Sequence, residues 1–370
     1  MTIQTDQFMQ KALALARLGQ GRTAPNPPVG AVLVRDGKVV GEGYHPAAGE
    51  PHAEIFALRE AGALARGADL YVTLEPCCHT GRTGPCTEAI IAAGVVRVHV
   101  GTVDPNPLVA GKGILRLQNA GIQVTAGLNE SECRNLIAPF SKILKTGLPH
   151  VVYKAAMTLD GQTATASGDS KWISCEQSRE LVHMLRNQVD GIIVGSGTVK
   201  TDNPKLTTRL TVPGRDPVRI VLDGSLSTSP QANVYSQSSE SGSLLITASE
   251  HDPAKLHPFL AAGVEVIQVK CHAEGLDLHE AMVELGRRNL QYLLLEGGSK
   301  LAAAMLKAEL VDRLMVFVAP KLVGGDGRSL FAGAGVDSIS NAFTLKELQT
   351  RWVDCDILVE GEVQYVHRPD

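Results

Sequence analysis

The feature that most constrains this chain is a set of metal-binding side chains between residues 52 and 86. His52, Cys77 and Cys86 offer one imidazole and two thiols, and Glu54 adds a carboxylate that the metal does not need. A catalytic zinc ion takes three protein ligands and keeps a fourth position open for water. A nearby glutamate can then move protons. The set predicts a zinc-dependent hydrolytic deaminase, with Glu54 as its catalytic proton carrier.

The flanking sequence places these side chains at the ends of predicted secondary-structure elements. Apolar residues recur at helical spacing over residues 53–66, so the histidine and the glutamate fall in the first helical turn. A short buried strand over residues 69–74 ends before Cys77, and a second helix over residues 87–93 has Cys86 at its start. Because a helix N-terminus favours a thiolate, one strand end and two helix starts could converge on one metal.

Alternatives stay open for this motif. The cysteines could form a structural zinc site or be ordinary reduced thiols, although a structural site usually takes four protein ligands. Cys78 is a rival to Cys77 as a ligand, and we favour Cys77 because it directly follows Pro76. The two predicted ligand cysteines are separated by eight residues, where the usual deaminase pattern has two. The intervening loop could therefore contact substrate as well as close the metal site.

Composition excludes several classes of protein. The 370 residues are 44% hydrophobic and 20% charged, as expected for a globular protein with two domains. With a net charge of −4 and 4% aromatic residues, a nucleic-acid partner has little support. Residues 1–10 resemble neither a signal peptide nor an anchor, and the apolar runs are too short to span a membrane. Seven mostly isolated cysteines favour a reducing compartment, which we expect to be the cytoplasm.

The order of predicted elements indicates two α/β domains, residues 1–147 and 148–370. The helical pattern stops at residues 145–149, where we place the boundary. The first domain alternates short strands with helices, and a hairpin turns at Asp36-Gly37. Besides those named above, its predicted helices are 6–19, 113–120 and 130–144, and its predicted strands are 29–35, 38–43, 95–102 and 122–125.

The order of elements predicts that the second domain is a doubly wound sheet whose late strands fold back. Gly297 and Gly298 stand between a strand and a helix start, where free backbone N–H groups could hold a phosphate. Such a turn also needs glycine for steric reasons alone. The predicted strands are 151–157, 191–195, 218–223, 243–248, 264–270, 292–296 and 314–320, and the predicted helices are 176–187, 278–289 and 299–310.

Longer motifs resemble one enzyme family along nearly the whole chain, the bifunctional deaminase/reductase family of riboflavin biosynthesis. In the first domain they are P-N-P-P-V-G-A-V-L-V (25–34), G-E-G-Y-H (41–45), A-G-E-P-H-A-E (48–54), E-P-C-C-H-T-G-R-T-G-P-C (75–86) and D-P-N-P-L-V-A-G-K-G (104–113). In the second they are K-A-A-M-T-L-D-G-Q-T-A (154–164), S-G-D-S-K-W-I-S (167–174), T-D-N-P-K-L-T-T-R (201–209), L-L-E-G-G (294–298) and A-P-K-L-V-G-G-D (319–326). The family's wider cysteine spacing also matches.

The resemblance implies two successive activities. Residues 1–147 would have a cytidine-deaminase-like fold and hydrolyse the ring amine of a 2,5-diamino-6-ribosylamino-pyrimidinone 5′-phosphate, releasing ammonia. Residues 148–370 would have a dihydrofolate-reductase-like fold and use NADPH to reduce the ribosyl group to ribityl. The expected partners are therefore small phosphorylated pyrimidines, and the family suggests a homo-oligomer.

The resemblance also implies site residues, each of which has a structural alternative. Arg82 would be the phosphate ligand because a guanidinium suits that geometry. Leu206 could equally be core, Trp172 could be packing, and Arg186 could partner a helix dipole. Implied substrate contacts are Asn26, His45, His79 and Arg82 in the first domain and Lys154, Ser170, Arg186, Leu206, Arg209 and Glu296 in the second. Implied NADPH contacts are Ala156, Trp172, Thr198, Asp202, Gly298 and Ser299.

Two other functions remain as hypotheses. The second domain could be an oligomerisation or regulatory module without reductase activity, but its intact motifs speak against this. The chain could also edit a polynucleotide, which its acidic balance and few aromatic residues disfavour.

Overall fold

The chain folds into two compact units, Met1–Gly147 and Leu148–Asp370. The computed structural model describes residues 3–79, 84–107, 109–236, 240–333 and 335–365. Both units are built from helices packed on a sheet, so the predicted α/β class is confirmed.

The first unit has a five-stranded mixed sheet with helices on both faces. Its strands are β1 (Gly30–Arg35), β2 (Lys38–Tyr44), β3 (Asp69–Leu74), β4 (Arg97–Thr102) and β5 (Gln123–Ala126), in the order β2-β1-β3-β4-β5. Its helices are α1 (Ile3–Leu18), α2 (Ala53–Ala61), α3 (Cys86–Ala93), α4 (Lys112–Asn119), α5 (Glu130–Leu136) and α6 (Ala138–Thr146). Side chains alternate along β1, so that one face packs on α2, α3 and α4 and the other on α1 and α5.

Close packing between β2 and α2 fixes where α2 begins. A Cβ atom on Gly41 would lie 2.2 Å from the Ala57 carbonyl oxygen, and one on Gly43 would lie 2.3 Å from that of Ala53. Only glycine permits this approach of helix to strand. The first turn of α2, with Glu54, is thereby held directly against the sheet.

The second unit has a nine-stranded sheet in the order β11-β10-β9-β8-β14-β6-β15-β18-β17. From β11 to β15 neighbouring strands are parallel, and β18 and β17 are antiparallel additions. The strands are β6 (His150–Thr158), β7 (Gln162–Ala164), β8 (Gly191–Gly195), β9 (Val218–Leu222), β10 (Ser243–Ala248), β11 (Glu265–Val269), β12 (Cys271–His272), β13 (Gly275–Leu276), β14 (Tyr292–Leu295), β15 (Arg313–Ala319), β16 (Arg328–Ser329), β17 (Thr344–Val353) and β18 (Asp356–Gln364).

Helices cover both faces of this second sheet. They are α7 (Glu176–Gln188), α8 (Ser196–Asp202), α9 (Pro253–Ala261), α10 (Leu278–Arg287) and α11 (Ser299–Lys307). Helices α10 and α11 pack on one face, and α7, α8 and α9 pack on the other. Because both faces are covered, the central parallel strands have continuous apolar sequences.

Two predicted helices differ from the observed ones for local reasons. The helix predicted over residues 53–66 ends at Ala61, and a 3₁₀ turn, Gly62–Ala65, follows. The helix predicted over residues 130–144 is split between α5 and α6, because Pro139 lacks an N–H and lies in the first turn of α6.

The longest helix in the described ranges, α1, has 16 residues. No described helix combines the length and the apolar character that a bilayer-spanning segment needs.

Candidate active sites

Three predicted ligands meet at the ends of α2, β3 and α3. His52 immediately precedes α2, Cys77 follows β3, and Cys86 is the first residue of α3. The Nδ1 atom of His52 lies 3.6 Å from the Cys77 sulfur and 3.3 Å from the Cys86 sulfur. All three donor atoms lie within 4.8 Å of one another. The structure thus brings together the side chains that the sequence singled out, and Cys78 is outside this group.

The donor geometry fits a zinc ion. Nitrogen and sulfur ligands about 2.0–2.3 Å from a tetrahedral zinc lie roughly 3.3–3.8 Å apart. The two distances from the His52 nitrogen to the sulfurs fall in this range. Two sulfurs and one imidazole are also the donor set of known catalytic zinc sites. The residues present therefore suit a three-ligand zinc centre with room for a fourth ligand.

The two cysteine sulfurs hold their protons unequally. Hydrogen bonding from Cys86, against the effect of burial, lowers the pKa of Cys77 to about 4, and His52 contributes. The Cys86 backbone N–H also donates to the Cys77 sulfur over 3.3 Å. The pKa of Cys86 is raised by its hydrogen bond to Cys77 and by burial. Metal binding would therefore release a proton from this pair of thiols.

Glu54 is a buried carboxyl beside this group. It is 3% exposed, and burial raises its pKa to about 7, with a further contribution from Cys77. A carboxyl with a pKa near neutrality can accept a proton and later return it. Glu54 therefore has the protonation properties that a general acid–base catalyst needs.

A cavity of about 440 Å³ opens over the histidine and the buried glutamate. Asn26, His45 and His79 line it, as the resemblance implies. The Asn26 amide donates to Nε2 of His45 over 3.1 Å, while Nδ1–H of His45 donates to the Pro51 carbonyl over 3.0 Å. Burial lowers the pKa of His45, so its ring is held neutral in one tautomer. Arg82 lies outside the described residues.

Glu75 is a residue whose role the sequence did not reveal. It is buried in the cavity wall, and its carboxylate accepts four backbone N–H bonds. Oε1 accepts from Gly113 (2.8 Å) and Ile114 (3.1 Å), and Oε2 accepts from Gly111 (2.9 Å) and Asp104 (3.2 Å). One side chain thus ties the segment 104–114 to the end of β3, two residues before Cys77. From its place in the motif, Glu75 was predicted only to end a strand.

That segment supplies cavity-lining residues that sequence reasoning also missed. Asp104, Asn106 and Val109 line the cavity, and so does Phe140 of α6. The Asp104 carboxylate accepts the Asn106 N–H over 2.8 Å, and burial raises the pKa of Asp104. The D-P-N-P motif contains two of these residues, but nothing in the neighbouring sequence indicated that they lie near the metal ligands.

In the second unit, Arg186 and Glu296 form a largely buried, two-bond ion pair. Nε and Nη2 of Arg186 donate to the two Glu296 oxygens over 2.9 and 2.7 Å, and Nη1 donates to the Thr207 carbonyl over 3.1 Å. Burial acts to raise the pKa of Glu296, but Arg186 and then Lys154 outweigh it and lower the pKa to about 2. Glu296 is therefore a permanent anion at the end of β14.

Lys154 and Arg209 lie in the same charged group. Burial lowers the pKa of Lys154, which stands on β6 next to β14. The Arg209 backbone N–H donates to Nδ1 of His183 over 3.2 Å. Burial and the nearby Arg186 and Arg209 lower the pKa of His183 to about 4, so its ring stays a neutral acceptor. The sequence gave no indication of His183.

Leu206 matches the family pattern, but its side chain is 3% exposed and packs in the core. Its backbone is left-handed, with φ of 56°. The side chain therefore packs in the core, which was the structural alternative.

Only some of the residues that the resemblance implies for NADPH binding lie close together. Gly298 precedes α11, and a Cβ atom there would lie 3.7 Å from the Thr198 hydroxyl of α8. Thr198 and the Gly298-Ser299 turn are thus neighbours, at the carboxyl ends of the adjacent strands β8 and β14. Trp172 is 65% exposed, with the Arg179 guanidinium 4.6 Å from its ring centre.

The remaining implied residues are more scattered. Ala156 is half-buried on β6, whereas Ser170 and Asp202 are exposed. In the described part of the chain, neither of these exposed residues makes a hydrogen bond to the Arg186–Glu296 pair.

Comparisons with known proteins agree with this division into two sites. Residues 2–102 match the model described as the cytidine and deoxycytidylate deaminase zinc-binding region. Residues 149–359 match the model described as the RibD C-terminal domain. The zinc-binding match contains the three ligand candidates, and the second match contains the buried ion pair.

Full-length relatives cover nearly the whole chain. The riboflavin biosynthesis protein RibD of Escherichia coli (strain K12) is 42% identical over 367 residues, with 96% of this chain and 98% of the relative covered. That of Aquifex aeolicus is 42% identical over 352 residues, with 95% and 96% covered.

Solved structures agree over the same length. RibD of Acinetobacter baumannii superposes with a TM-score of 0.84 at 36% identity, covering 98% of this chain and 99% of that one. A diaminohydroxyphosphoribosylaminopyrimidine deaminase/5-amino-6-(5-phosphoribosylamino)uracil reductase from Thermotoga maritima gives 0.84 at 37% identity, with the same coverage. Relatives of this kind combine a zinc-binding deaminase domain with an NADPH-dependent reductase domain, which confirms the predicted activities and cofactors. The chain belongs to the RibD family of bifunctional deaminase–reductases of riboflavin biosynthesis.

Proposed function

We propose that the two units act in sequence on one phosphorylated pyrimidine. The first removes the ring amine of 2,5-diamino-6-ribosylamino-4(3H)-pyrimidinone 5′-phosphate, and the second reduces the ribosyl side chain of the product to ribityl. The observation that carries the first step is the group of two sulfurs and one imidazole beside the buried carboxyl of Glu54. The relative from Thermotoga maritima has a name that gives the same two steps.

In the first unit, His52, Cys77 and Cys86 would hold the zinc ion. Bound there, zinc lowers the pKa of a coordinated water toward neutrality and so supplies a nucleophile. Glu54 takes up the proton, passes it to the ring nitrogen, and later delivers a proton to the departing ammonia. Its pKa of about 7 suits both directions of transfer.

The cavity would orient the pyrimidine. Asn26 fixes His45 through its ring nitrogen, so both present defined polar edges to the ligand. Arg82 would pair with the phosphate, as a guanidinium does through two parallel hydrogen bonds. Glu75 contributes by holding the 104–114 segment in the cavity wall.

In the second unit, bound NADPH would supply the hydride for reduction of the sugar. The Arg186–Glu296 pair presents a fixed charge pattern, and Lys154 beside it would donate a hydrogen bond or proton to the ribosyl oxygen as the ring opens. Its lowered pKa makes Lys154 a better acid than an exposed lysine. Ser170, Leu206 and Arg209 would complete the substrate site. Ala156, Trp172, Thr198, Asp202, Gly298 and Ser299 would line the dinucleotide site.

We also propose a cytoplasmic homo-oligomer that binds neither nucleic acid nor membrane. All seven cysteines are free thiols, as a reducing compartment requires. The oligomer rests on the family resemblance alone.

The test is zinc analysis combined with a two-stage assay. We expect zinc near one per chain, ammonia release without any nucleotide, and NADPH oxidation only when the deaminated compound is present. NADPH oxidation on the starting compound, before any ammonia appears, would contradict the proposed order.

A further inference from the structure

A pair of cysteines in the second unit lies outside both proposed sites. Cys175 precedes α7 as its N-cap, and Cys355 lies in the turn between β17 and β18. Their sulfurs lie within 4.8 Å of each other, although the residues are far apart in the sequence. Cys355 is exposed and Cys175 is partly exposed, so a small molecule in solution can reach the pair.

Residues on both sides of Cys355 are hydrogen-bonded to Cys175. The Cys175 thiol donates to the Val353 carbonyl over 3.4 Å. The buried Asp356 carboxylate accepts the Cys175 N–H over 2.8 Å and the Ser178 hydroxyl over 2.7 Å. The turn therefore stays against the start of α7, and the exposed Cys355 side chain can rotate once the weak 3.8 Å hydrogen bond from its thiol to the Asp356 carboxylate breaks. Such a rotation is the movement needed to bring two nearby sulfurs to about 2 Å.

We propose that Cys175 and Cys355 form a dithiol site that closes to a disulfide when it reacts with a small-molecule disulfide. The Cys355 thiolate attacks one sulfur of the reagent, forming a mixed disulfide and releasing the first thiol. The Cys175 sulfur then displaces the second thiol and completes the protein disulfide. The two protein thiols lose two electrons and two protons, and the reagent is reduced to two thiols.

Closure of this disulfide acts on the reductase unit and leaves the deaminase unit unchanged. The segment that ends at Cys175 carries Ser170 and Trp172, and Lys321 donates to the Ile173 carbonyl over 2.8 Å. When its sulfur enters the bridge, Cys175 loses the thiol hydrogen bond to the Val353 carbonyl, and this loosens the segment that the proposed function assigns to the reductase ligands. This consequence rests on the proposed function, whereas formation of the bridge does not.

The experiment uses the zinc-loaded, full-length protein and oxidised glutathione. Burial and the neighbouring Asp356 raise the pKa of Cys355, so the incubation is run at about pH 8.5, near the ordinary thiol pKa. Remaining thiols are blocked, and the digested protein is analysed by mass spectrometry. We expect a peptide joined through Cys175 and Cys355, its disappearance after dithiothreitol, and a several-fold, reversible loss of NADPH oxidation with ammonia release unchanged.

Serine variants keep the test decisive. Serine is a good N-cap, so Cys175→Ser preserves the start of α7 and should leave Cys355 as a lasting glutathione adduct. Cys355→Ser should abolish the bridge, and Cys271→Ser, at a partly exposed cysteine of β12, should not affect it. Glutathione adducts on both cysteines of the wild type without a bridge would overturn the proposal.

Two further results would also overturn it. A second zinc per chain that is lost in Cys355→Ser and shields both thiols from glutathione would make the pair, with Asp354, a metal site instead. A complete bridge with unchanged NADPH oxidation would overturn the assigned effect on the reductase unit, even if both enzyme activities are as proposed.

Discussion

The two units each bury a glutamate, and the two glutamates have opposite acid–base character. Burial and then Cys77 raise the pKa of Glu54 to about 7, and the opposing effect of His52 is too small to prevent this. At Glu296, the bidentate Arg186 lowers the pKa to about 2 despite burial. With these pKa values, the same side chain can exchange a proton near neutral pH in the first unit and stays a fixed anion in the second. The difference shows that the partner of a buried carboxyl, more than burial itself, decides its chemical role.

The largest expected effect separates the metal ligands from their neighbour. Cys77→Ser should lose zinc and ammonia release, and zinc affinity should fall by more than the about 10- to 100-fold that loss of an outer partner costs. Cys78→Ser is the matched control and should keep both zinc and turnover. Metal analysis of the two purified variants decides this. Zinc lost from Cys78→Ser and kept in Cys77→Ser would reverse the ligand assignment.

The proton carrier is the next test. Glu54→Gln should lower the rate of ammonia release by about 10²- to 10⁴-fold, as expected for loss of a general acid–base group. Zinc content should not change, because the carboxyl is not a ligand. Glu88→Gln, at an exposed surface ion pair on α3, is the control and should behave as wild type. Rapid ammonia release by the Glu54 variant would show that Glu54 is not the proton carrier.

The fixed anion should matter for stability as well as for reduction. Glu296→Gln leaves Arg186 buried without its partner, which costs about 3–5 kcal/mol. Both tryptophans, Trp172 and Trp352, lie in the second unit, so tryptophan fluorescence in urea reports on that unit alone. Arg186→Met combined with Glu296→Gln should recover much of the stability without recovering NADPH oxidation. An unchanged urea midpoint in Glu296→Gln would show that the ion pair does not stabilise the second unit.

A smaller effect is expected at Glu75. In Glu75→Gln, the amide NH₂ group faces backbone N–H donors and cannot accept their hydrogen bonds. Each N–H group left without an acceptor costs about 1–3 kcal/mol. We expect roughly a tenfold rise in the KM for deamination, which 1.4 kcal/mol would produce, with kcat and zinc content less affected. Glu130→Gln, in a surface pair with Arg134, is the control. A change in kcat alone would argue against a role in holding the cavity wall.

The smallest effect concerns pH. The pKa of His183 is about 4 in the folded chain and 6.5 ordinarily, so between these values the unfolded chain binds the extra proton. Stability of the second unit should therefore fall as pH decreases from 6.5 to 4, and this contribution should be absent in His183→Gln. The exposed His257→Gln is the control. Urea midpoints by tryptophan fluorescence at several pH values measure the difference, and parallel curves would contradict it.

Sequence reasoning reached the first site more fully than the second, for a physical reason. His52, Cys77 and Cys86 lie within one segment and at element ends that the local pattern predicts, so their convergence could be inferred. Arg186 and Glu296 come from elements 110 positions apart, and only the parallel order of the central strands brings them together. Their roles came from family resemblance and not from periodicity.

Residues that act through the backbone were hardest to predict. Glu75 was read as the end of a strand, because nothing in the sequence shows that four N–H groups of a later segment converge on it. Leu206 looked like a contact and is a core residue. The helix α8 and the hairpin formed by β17 and β18 were not predicted, since the first is short and the second is mostly exposed on β17.

The most direct measurement compares both activities in Glu54→Gln and Glu296→Gln under one set of conditions. We predict that the Glu54 variant releases ammonia about 10²- to 10⁴-fold more slowly than the wild type but oxidises NADPH at the wild-type rate when given the deaminated compound. The Glu296 variant should release ammonia normally and oxidise no NADPH. If either substitution removed both activities from a folded, zinc-loaded chain, the two carboxyls would not serve separate sites, and the account would be contradicted.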